Sequence, residues 1–308
     1  MTYRSPSPYA PPRRVHRALP ALGPRRPASP RPPRRGRRPR LTRRGRLALL
    51  LGAVLAVAAA VTVPLLPAHD EPVAEKPRSL LVPEGWRAGQ VYAAVDRSLG
   101  LPRGTARKTA MAPGTVLPLP AEADGNPEGY LFPATYPVLT ATSPEVLLRF
   151  MVDTASRRFG TAAIAEGARA HGLSVYQTVI AASIVQAEAD NPEDMAKVAR
   201  VVHNRLARGM ALQMDSTLNY ALDRTTVDTT YEDTRSSSPY NTYERKGLPP
   251  TPIGNPGDQA LDAVIRPADG DWLYFVTVAP GDTRFTADYA AHRENVAEFN
   301  ANRSAAKQ

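Results

Sequence analysis

The chain of 308 residues contains no cysteine, only two tryptophans and only five histidines. Without cysteine it cannot form a disulfide framework, a Cys-ligated zinc site or a thiol nucleophile. The histidines are scattered and form no His-x-x-x-His pair, and the sequence has neither a phosphate-binding glycine loop nor a Gly-x-Ser-x-Gly elbow. The sequence therefore predicts no metal and no other cofactor.

Acidic residues are absent from residues 1–47, which carry 15 of the 39 basic residues. The remaining 24 basic residues stand against 29 acidic ones, so the rest of the chain is mildly acidic despite a formal net charge of +10. Nucleic acid is therefore not an expected partner. Residues 1–46 are rich in arginine and proline and poor in aliphatic clusters, which predicts a disordered tail.

One long apolar run follows this tail. Residues 47–66 carry no charge, and a helix of that length spans about 30 Å, the thickness of a bilayer's hydrocarbon core. Arginines precede the run and acidic residues follow it, which predicts a single-pass anchor in the cell membrane with a cytoplasmic N terminus and an extracytoplasmic remainder. A cleaved signal peptide or a buried core helix is the alternative. Residues 67–78 are predicted to be a polar linker.

The remainder predicts an α+β fold. Short extended runs at 79–83 and 115–117, with a helix at 86–99 between them, predict a small β-α-β module within residues 79–120. Capping residues and apolar spacing predict a mainly helical domain over residues 126–303 that includes a short β-hairpin. Its helices are expected at 143–159, 161–170, 175–189, 191–209, 215–222, 255–266 and 288–300, and its hairpin at 272–286.

The predicted helix 175–189 is the strongest candidate for carrying chemistry. Positions 179–187 are apolar or small except for Gln186, so this helix is expected to be largely buried. Glu188 follows Ile184 on the same face, where partial desolvation would raise its pKa toward a value useful for a general acid. The alternative is a glutamate at a frayed helix end that faces water.

Three other polar segments are weaker candidates. Residues 212–220 include Asp215, which can equally be a helix N-cap. Residues 128–136 place aromatics beside glycine and proline, which suits stacking on sugar rings and equally suits inter-domain packing. Residues 240–253 have rigid prolines and amide side chains that can line a polysaccharide groove. An ordered structural loop is the alternative for both segments. The candidate substrate-binding residues are Glu128, Gln213, Asp215, Tyr240, Asn241 and Tyr243.

Several of these segments together resemble the endolytic murein transglycosylases, the YceG-like family. The resemblance covers about residues 79–300 and rests on eight motifs in a fixed order. These are Glu128–Pro133, Ala182–Ala189, Val201–Leu206, Gly209–Thr217, Tyr240–Tyr243, Gly247–Ile253, Asn255–Gly257 and Leu273–Val276.

The resemblance implies a membrane anchor, a small LysM-like module at 79–120 and a catalytic domain. It also implies cleavage of the bond between N-acetylmuramic acid and N-acetylglucosamine in nascent peptidoglycan strands, leaving 1,6-anhydro ends, with peptidoglycan synthases as candidate partners. The family's catalytic glutamate maps onto Glu188. The sequence departs from the family at Ser216, where a proline is usual, and at Ala134, where an aspartate is common; the module is also short.

This reaction requires only one carboxylic acid. Glu188 would protonate the glycosidic oxygen and then accept the proton of the sugar's own C6 hydroxyl, which closes onto C1. Asn241, Gln213 and the ionised Glu188 are candidates for stabilising the oxocarbenium-like centre. Two alternatives stay open: a hydrolase that uses Glu188 and Asp215 as a carboxylate pair, and a non-catalytic scaffold that binds the cell wall.

Overall fold

The computed structural model describes residues 78–224 and 230–305, which fall within one compact unit, Ala74–Gln308. The predicted tail, the predicted membrane span and nearly all of the predicted linker lie outside the described residues. Within the described ranges, no helix combines the length and the apolar character needed to cross a bilayer.

The described chain is mainly helical with two small antiparallel sheets, which confirms the predicted α+β class. The first sheet pairs β1 (Arg78–Leu81) with β2 (Thr135–Val138), and the second is a hairpin of β3 (Tyr274–Ala279) and β4 (Asp282–Thr286). The helices are α1 (Ala88–Leu99), α2 (Thr105–Ala110), α3 (Pro144–Phe159), α4 (Ala162–Ala170), α5 (Val175–Glu188), α6 (Pro192–Ala207), α7 (Asp215–Ala221), α8 (Asp258–Ile265) and α9 (Tyr289–Ala305).

Side-chain caps fix the starts of α3 to α6 where the sequence predicts them. The Ser143 hydroxyl accepts a hydrogen bond from the backbone of α3, and Thr161 does the same for α4. Ser174 forms a reciprocal capping box with Gln177 at the start of α5, and Asn191 caps α6. These helices therefore begin within one residue of their predicted positions.

Helix α5 lies at the centre of the core, packed against α6, α7 and α8. Its residues 178–185 are all buried, which confirms the expectation from their apolar character. Helices α4 and α8 approach each other at Gly167, where an added Cβ would lie 2.5 Å from the Cβ of Ile265. A side chain at residue 167 would therefore force these helices apart.

The prediction of a strand at Thr115–Leu117 is wrong. This segment is irregular, and β1 pairs instead with β2, a strand that the sequence reading missed. Tyr136 and Val138 of β2 are buried whereas Val116 is 68% exposed, so pairing with β2 buries more apolar surface. The predicted β-α-β arrangement within residues 79–120 is therefore not formed, and the LysM-like character of this segment stays a prediction.

Helix α2 was also missed. The side chain of Asp96, itself buried, accepts hydrogen bonds from the backbone N–H groups of Gly104 and Ala106 at 2.6 and 2.8 Å. The free N–H groups at the start of α2 are thus bonded by a side chain of α1, and no residue next to α2 in sequence acts as a side-chain cap. Sequence patterns for helix starts do not detect such a partner.

Candidate active site around Glu188

The end of α5 places Glu188 beside the start of α7. The Ser216 hydroxyl donates a 2.6 Å hydrogen bond to Glu188 Oε1, and the Ser216 backbone N–H lies 3.4 Å from the same oxygen. Glu188 is partly buried, so its carboxyl group is neither sealed in the core nor free in solvent. The alternative of a frayed helix end facing open water is therefore not what the structure shows.

The surroundings of Glu188 favour its neutral form. Burial raises the pKa of Glu188, the two Ser216 bonds oppose that rise, and the neighbouring Asp215 carboxylate adds to it. A carboxyl group whose pKa lies above its ordinary value keeps its proton closer to neutral pH, as a general acid requires.

Glu188 lines a groove of about 810 Å³. One group of lining residues comprises Glu188 of α5, Gln213 and Asp215 at the start of α7, and Tyr243 from a later loop. A second group of lining residues, here called the hairpin wall, comes from β3 and α9 and comprises Tyr274, Phe275, Tyr289, His292 and Arg293. A cavity of this size and mixed lining suits a polar, extended ligand.

Asp215 is held by an aromatic partner instead of capping its helix. The N-cap of α7 is Met214, and the Tyr243 hydroxyl donates a 2.5 Å hydrogen bond to Asp215 Oδ1. Gln213 adopts a left-handed backbone conformation, with φ of 51°, and its side-chain oxygen accepts a bond from Arg205. The structure thus brings four of the seven predicted site residues to one groove: Glu188, Gln213, Asp215 and Tyr243.

The other three predicted site residues do not line this groove. Asn241 is fully buried, and its side-chain amide bonds the backbone of residues 234, 236 and 243. Its side chain thus fixes the loop that carries Tyr243, and no free donor is left for an oxocarbenium-like centre. Tyr240 bonds Thr251 through its hydroxyl.

Glu128 lies buried beside a different cleft. Its carboxylate accepts hydrogen bonds from the Ala88 backbone N–H at 2.9 Å and from the Tyr220 hydroxyl at 3.2 Å. Burial raises the pKa of Glu128 to about 7, against the opposing effect of these bonds. This geometry favours a structural role for Glu128 over a place in the Glu188 groove.

Sequence reasoning missed Ser216, Arg205 and the hairpin wall. Ser216 was noted only as a departure from the family's usual proline, although its hydroxyl is the donor to Glu188. Arg205 lay inside a recognised motif without an assigned role. No sequence signal places α9 at the groove, because its apolar residues form no clear stripe. In the part of the chain that the structure describes, no three acidic or histidine side chains cluster as metal ligands would.

Removing the Ser216 hydroxyl is expected to extend activity to higher pH. A general acid works in its protonated form, so the falling high-pH limb of the kcat profile follows its pKa. The Ser216 bonds stabilise the ionised form, and Ser216→Ala should therefore move that limb upward, whereas Ser216→Thr keeps the hydroxyl and should leave it in place. If the high-pH limb of Ser216→Ala does not move, or moves to lower pH, the Ser216 hydroxyl does not stabilise the ionised form of Glu188.

Glu128→Gln is expected to stabilise the chain at pH 8. Because the pKa of Glu128 is about 7 when folded and near its ordinary 4.5 when unfolded, the wild type should lose stability as pH rises from about 4.5 to 7. A neutral glutamine avoids that loss, so the free energy of unfolding at pH 8 should rise by about 1–2 kcal/mol. Urea unfolding at pH 5 and pH 8 measures both effects. A variant less stable than wild type at pH 8 would show that the ionised carboxylate contributes net stability.

Comparison with known proteins finds relatives of this chain. The profile of the YceG-like family matches residues 61–298. A Bacillus subtilis protein named endolytic murein transglycosylase is 36% identical over 168 residues, which cover 54% of this chain and 46% of that protein. A Streptococcus pneumoniae D39 protein of the same name is 29% identical over 254 residues, covering 74% and 46%. The chain thus spans about half the length of the curated relatives it matches.

The likeness to this family extends to a solved structure. The crystal structure of a yceG-like protein from Listeria monocytogenes matches with a TM-score of 0.63 and 32% identity, covering 71% of this chain and 76% of that one. The match of the family profile extends over most of the chain, including Glu188 and most of the residues that line its groove. The chain belongs to the YceG-like family.

Proposed function

We propose that this chain is an endolytic lytic transglycosylase of peptidoglycan, with Glu188 as its acid and then its base. One observation carries the proposal: a partly buried glutamate with a raised pKa lines a groove of about 810 Å³. The names of its relatives support the reaction and the substrate class. The scissile bond is that between N-acetylmuramic acid and N-acetylglucosamine.

The proposed reaction uses one carboxyl group twice. Protonated Glu188 gives its proton to the glycosidic oxygen as the C1–O bond breaks, and the leaving sugar departs with a new hydroxyl. The Glu188 carboxylate then accepts the proton of the C6 hydroxyl, whose oxygen bonds to C1 of the same sugar. This intramolecular attack requires no activated water, because the nucleophile is already held next to the reacting carbon. The Ser216 hydroxyl stabilises the carboxylate in between.

A second candidate reaction follows from the position of Asp215. Because Asp215 lines the same groove, it could serve with Glu188 as a hydrolase's carboxylate pair. Its bond from Tyr243 and its side-by-side position with Ser216 favour an electrostatic role instead: its charge raises the pKa of Glu188.

Product analysis in H₂¹⁸O separates the two reactions. Digestion of isolated glycan strands by the full chain is expected to give 1,6-anhydro muramyl ends. These ends contain no ¹⁸O, and their mass is lower by one water than that of ordinary reducing ends. Reducing ends that contain ¹⁸O would refute the transglycosylase proposal in favour of the hydrolase. No cleavage by wild type, together with strand binding, would favour the wall-binding scaffold.

We also propose that residues 47–66 anchor the chain in the cell membrane, with the groove outside the cytoplasm. The uncharged run and its flanking charges support this placement. Peptidoglycan synthases are proposed partners, since cleavage of nascent strands must occur where such strands are made.

A further inference from the structure

Arg205 of α6 is a buried cation without a carboxylate partner among the described residues. Only 5% of this residue is exposed. Its Nε donates to the Leu273 carbonyl at 2.6 Å, and its Nη1 donates to the Leu212 carbonyl at 2.5 Å. Nη1 also donates longer bonds to the Ala211 carbonyl and the Gln213 side-chain oxygen, and the Tyr274 ring lies 5.3 Å from the guanidinium carbon. These partners are neutral, so the positive charge of Arg205 is not balanced within the described chain.

The charge of Arg205 is directed toward the groove. Arg205 lines the groove with Glu188, and its Nη2 makes no hydrogen bond to a described residue, so this amino group is free for a ligand. Burial lowers the pKa of His292, and the charge of Arg205 lowers it further, so this neighbour stays neutral near pH 7. Arg205 is thus the buried positive charge on this side of the groove.

Arg293 adds a second, accessible cation. It lies on α9, is exposed, lines the same groove and forms no ion pair with a described residue. The acidic residues that line the groove are Glu188 and Asp215, and the Asp215 carboxylate already accepts a bond from Tyr243. The groove lining therefore combines two acidic residues with two cations, Arg205 and Arg293, that form no ion pair with a described residue.

We propose that Arg205 and Arg293 form an anion subsite for a carboxylate carried by the muramyl residue of the substrate. This inference rests on the proposed function. The glycan strand of N-acetylated sugars is itself neutral. A basic subsite would therefore recognise a charged substituent of the muramyl residue, either its free lactyl carboxylate or a carboxylate of the peptide stem. Guanidinium groups bind carboxylates through paired, charge-assisted hydrogen bonds, and a buried guanidinium gains most from a counter-charge.

Binding to three kinds of strand tests the subsite. The full chain carrying Glu188→Gln, which prevents turnover, is titrated with peptide-bearing strands, with peptide-free strands whose lactyl carboxylates are free, and with peptide-free strands amidated to neutrality. Arg293→Gln is then added, with Arg293→Lys as the charge-preserving variant and Arg169→Gln on α4 as an exposed control outside the groove lining. Arg293 is chosen because Arg205 also holds the fold through its carbonyl bonds.

Arg293→Gln is expected to weaken binding of at least one carboxylate-bearing strand by about 3- to 10-fold and to leave binding of the neutral strand unchanged. Arg169→Gln should bind all strands like the parent, and Arg293→Lys, which keeps the charge but loses the paired hydrogen bonds, should lose less affinity than Arg293→Gln. The strand that loses affinity identifies the lactyl group or the peptide as the source of the carboxylate. An equal loss for all three strands, or no loss for any, overturns the subsite alone. No binding of any strand by the parent overturns the proposed function as well.

Discussion

Glu188→Gln is expected to reduce glycan cleavage by about 1,000-fold or more while leaving the fold intact. Glutamine has the shape of glutamate but cannot donate the proton to the glycosidic oxygen or remove one from the C6 hydroxyl, and general acid–base catalysis typically contributes 100- to 10,000-fold. The Ser216 hydroxyl can still donate to the amide oxygen at residue 188, so the end of α5 should keep its contact with α7. The rate of anhydro-end release from purified strands measures the loss.

A matched control is Glu166→Gln on the exposed surface of α4, away from the groove lining. It removes the same charge and should cleave like wild type. Unchanged thermal unfolding of both variants would assign the loss to chemistry. If Glu188→Gln cleaves strands within tenfold of wild type, Glu188 is not the proton donor, and the proposed mechanism fails.

Local chemistry explains which parts of the fold were predictable. Caps at Ser143, Thr161, Ser174 and Asn191 act within four residues, so sequence alone shows them. The hairpin is equally local, because its strands are joined by a two-residue turn at Pro280 and Gly281. The buried character of α5 follows from composition, since a helix with apolar residues on every face must be covered on every face.

Long-range pairing explains what was missed. Strands β1 and β2 are separated by more than fifty residues, and Pro137 within β2 argues against a strand in a local reading. The site shows the same limit: Asn241 and Tyr243 stand two residues apart in one motif, yet the first is buried in its loop and the second reaches Asp215. Sequence indicates that such a loop is ordered but not which of its side chains faces a groove.

Asn255 shows how a local pattern can conceal a tertiary role. The Asn-Pro pair predicted a helix start at residue 255, but α8 begins at Asp258 with Gly257 as its N-cap. Asn255 is fully buried instead, and its side chain accepts a bond from the Leu131 N–H at 2.8 Å and donates one to the Trp86 carbonyl at 2.7 Å. One amide thus joins three segments far apart in sequence.

Asn255→Ala is expected to lower the free energy of unfolding by about 3 kcal/mol. The variant leaves the buried N–H of Leu131 without an acceptor and opens a small cavity where three segments meet. Urea unfolding measures the loss. Asn302→Ala, which removes an exposed amide with one bond to the Val278 carbonyl, serves as the control and should cost about 1 kcal/mol or less. Equal, small losses in both variants would mean that water replaces the Asn255 bonds and that apolar packing holds the segments at Trp86 and Leu131 in place instead.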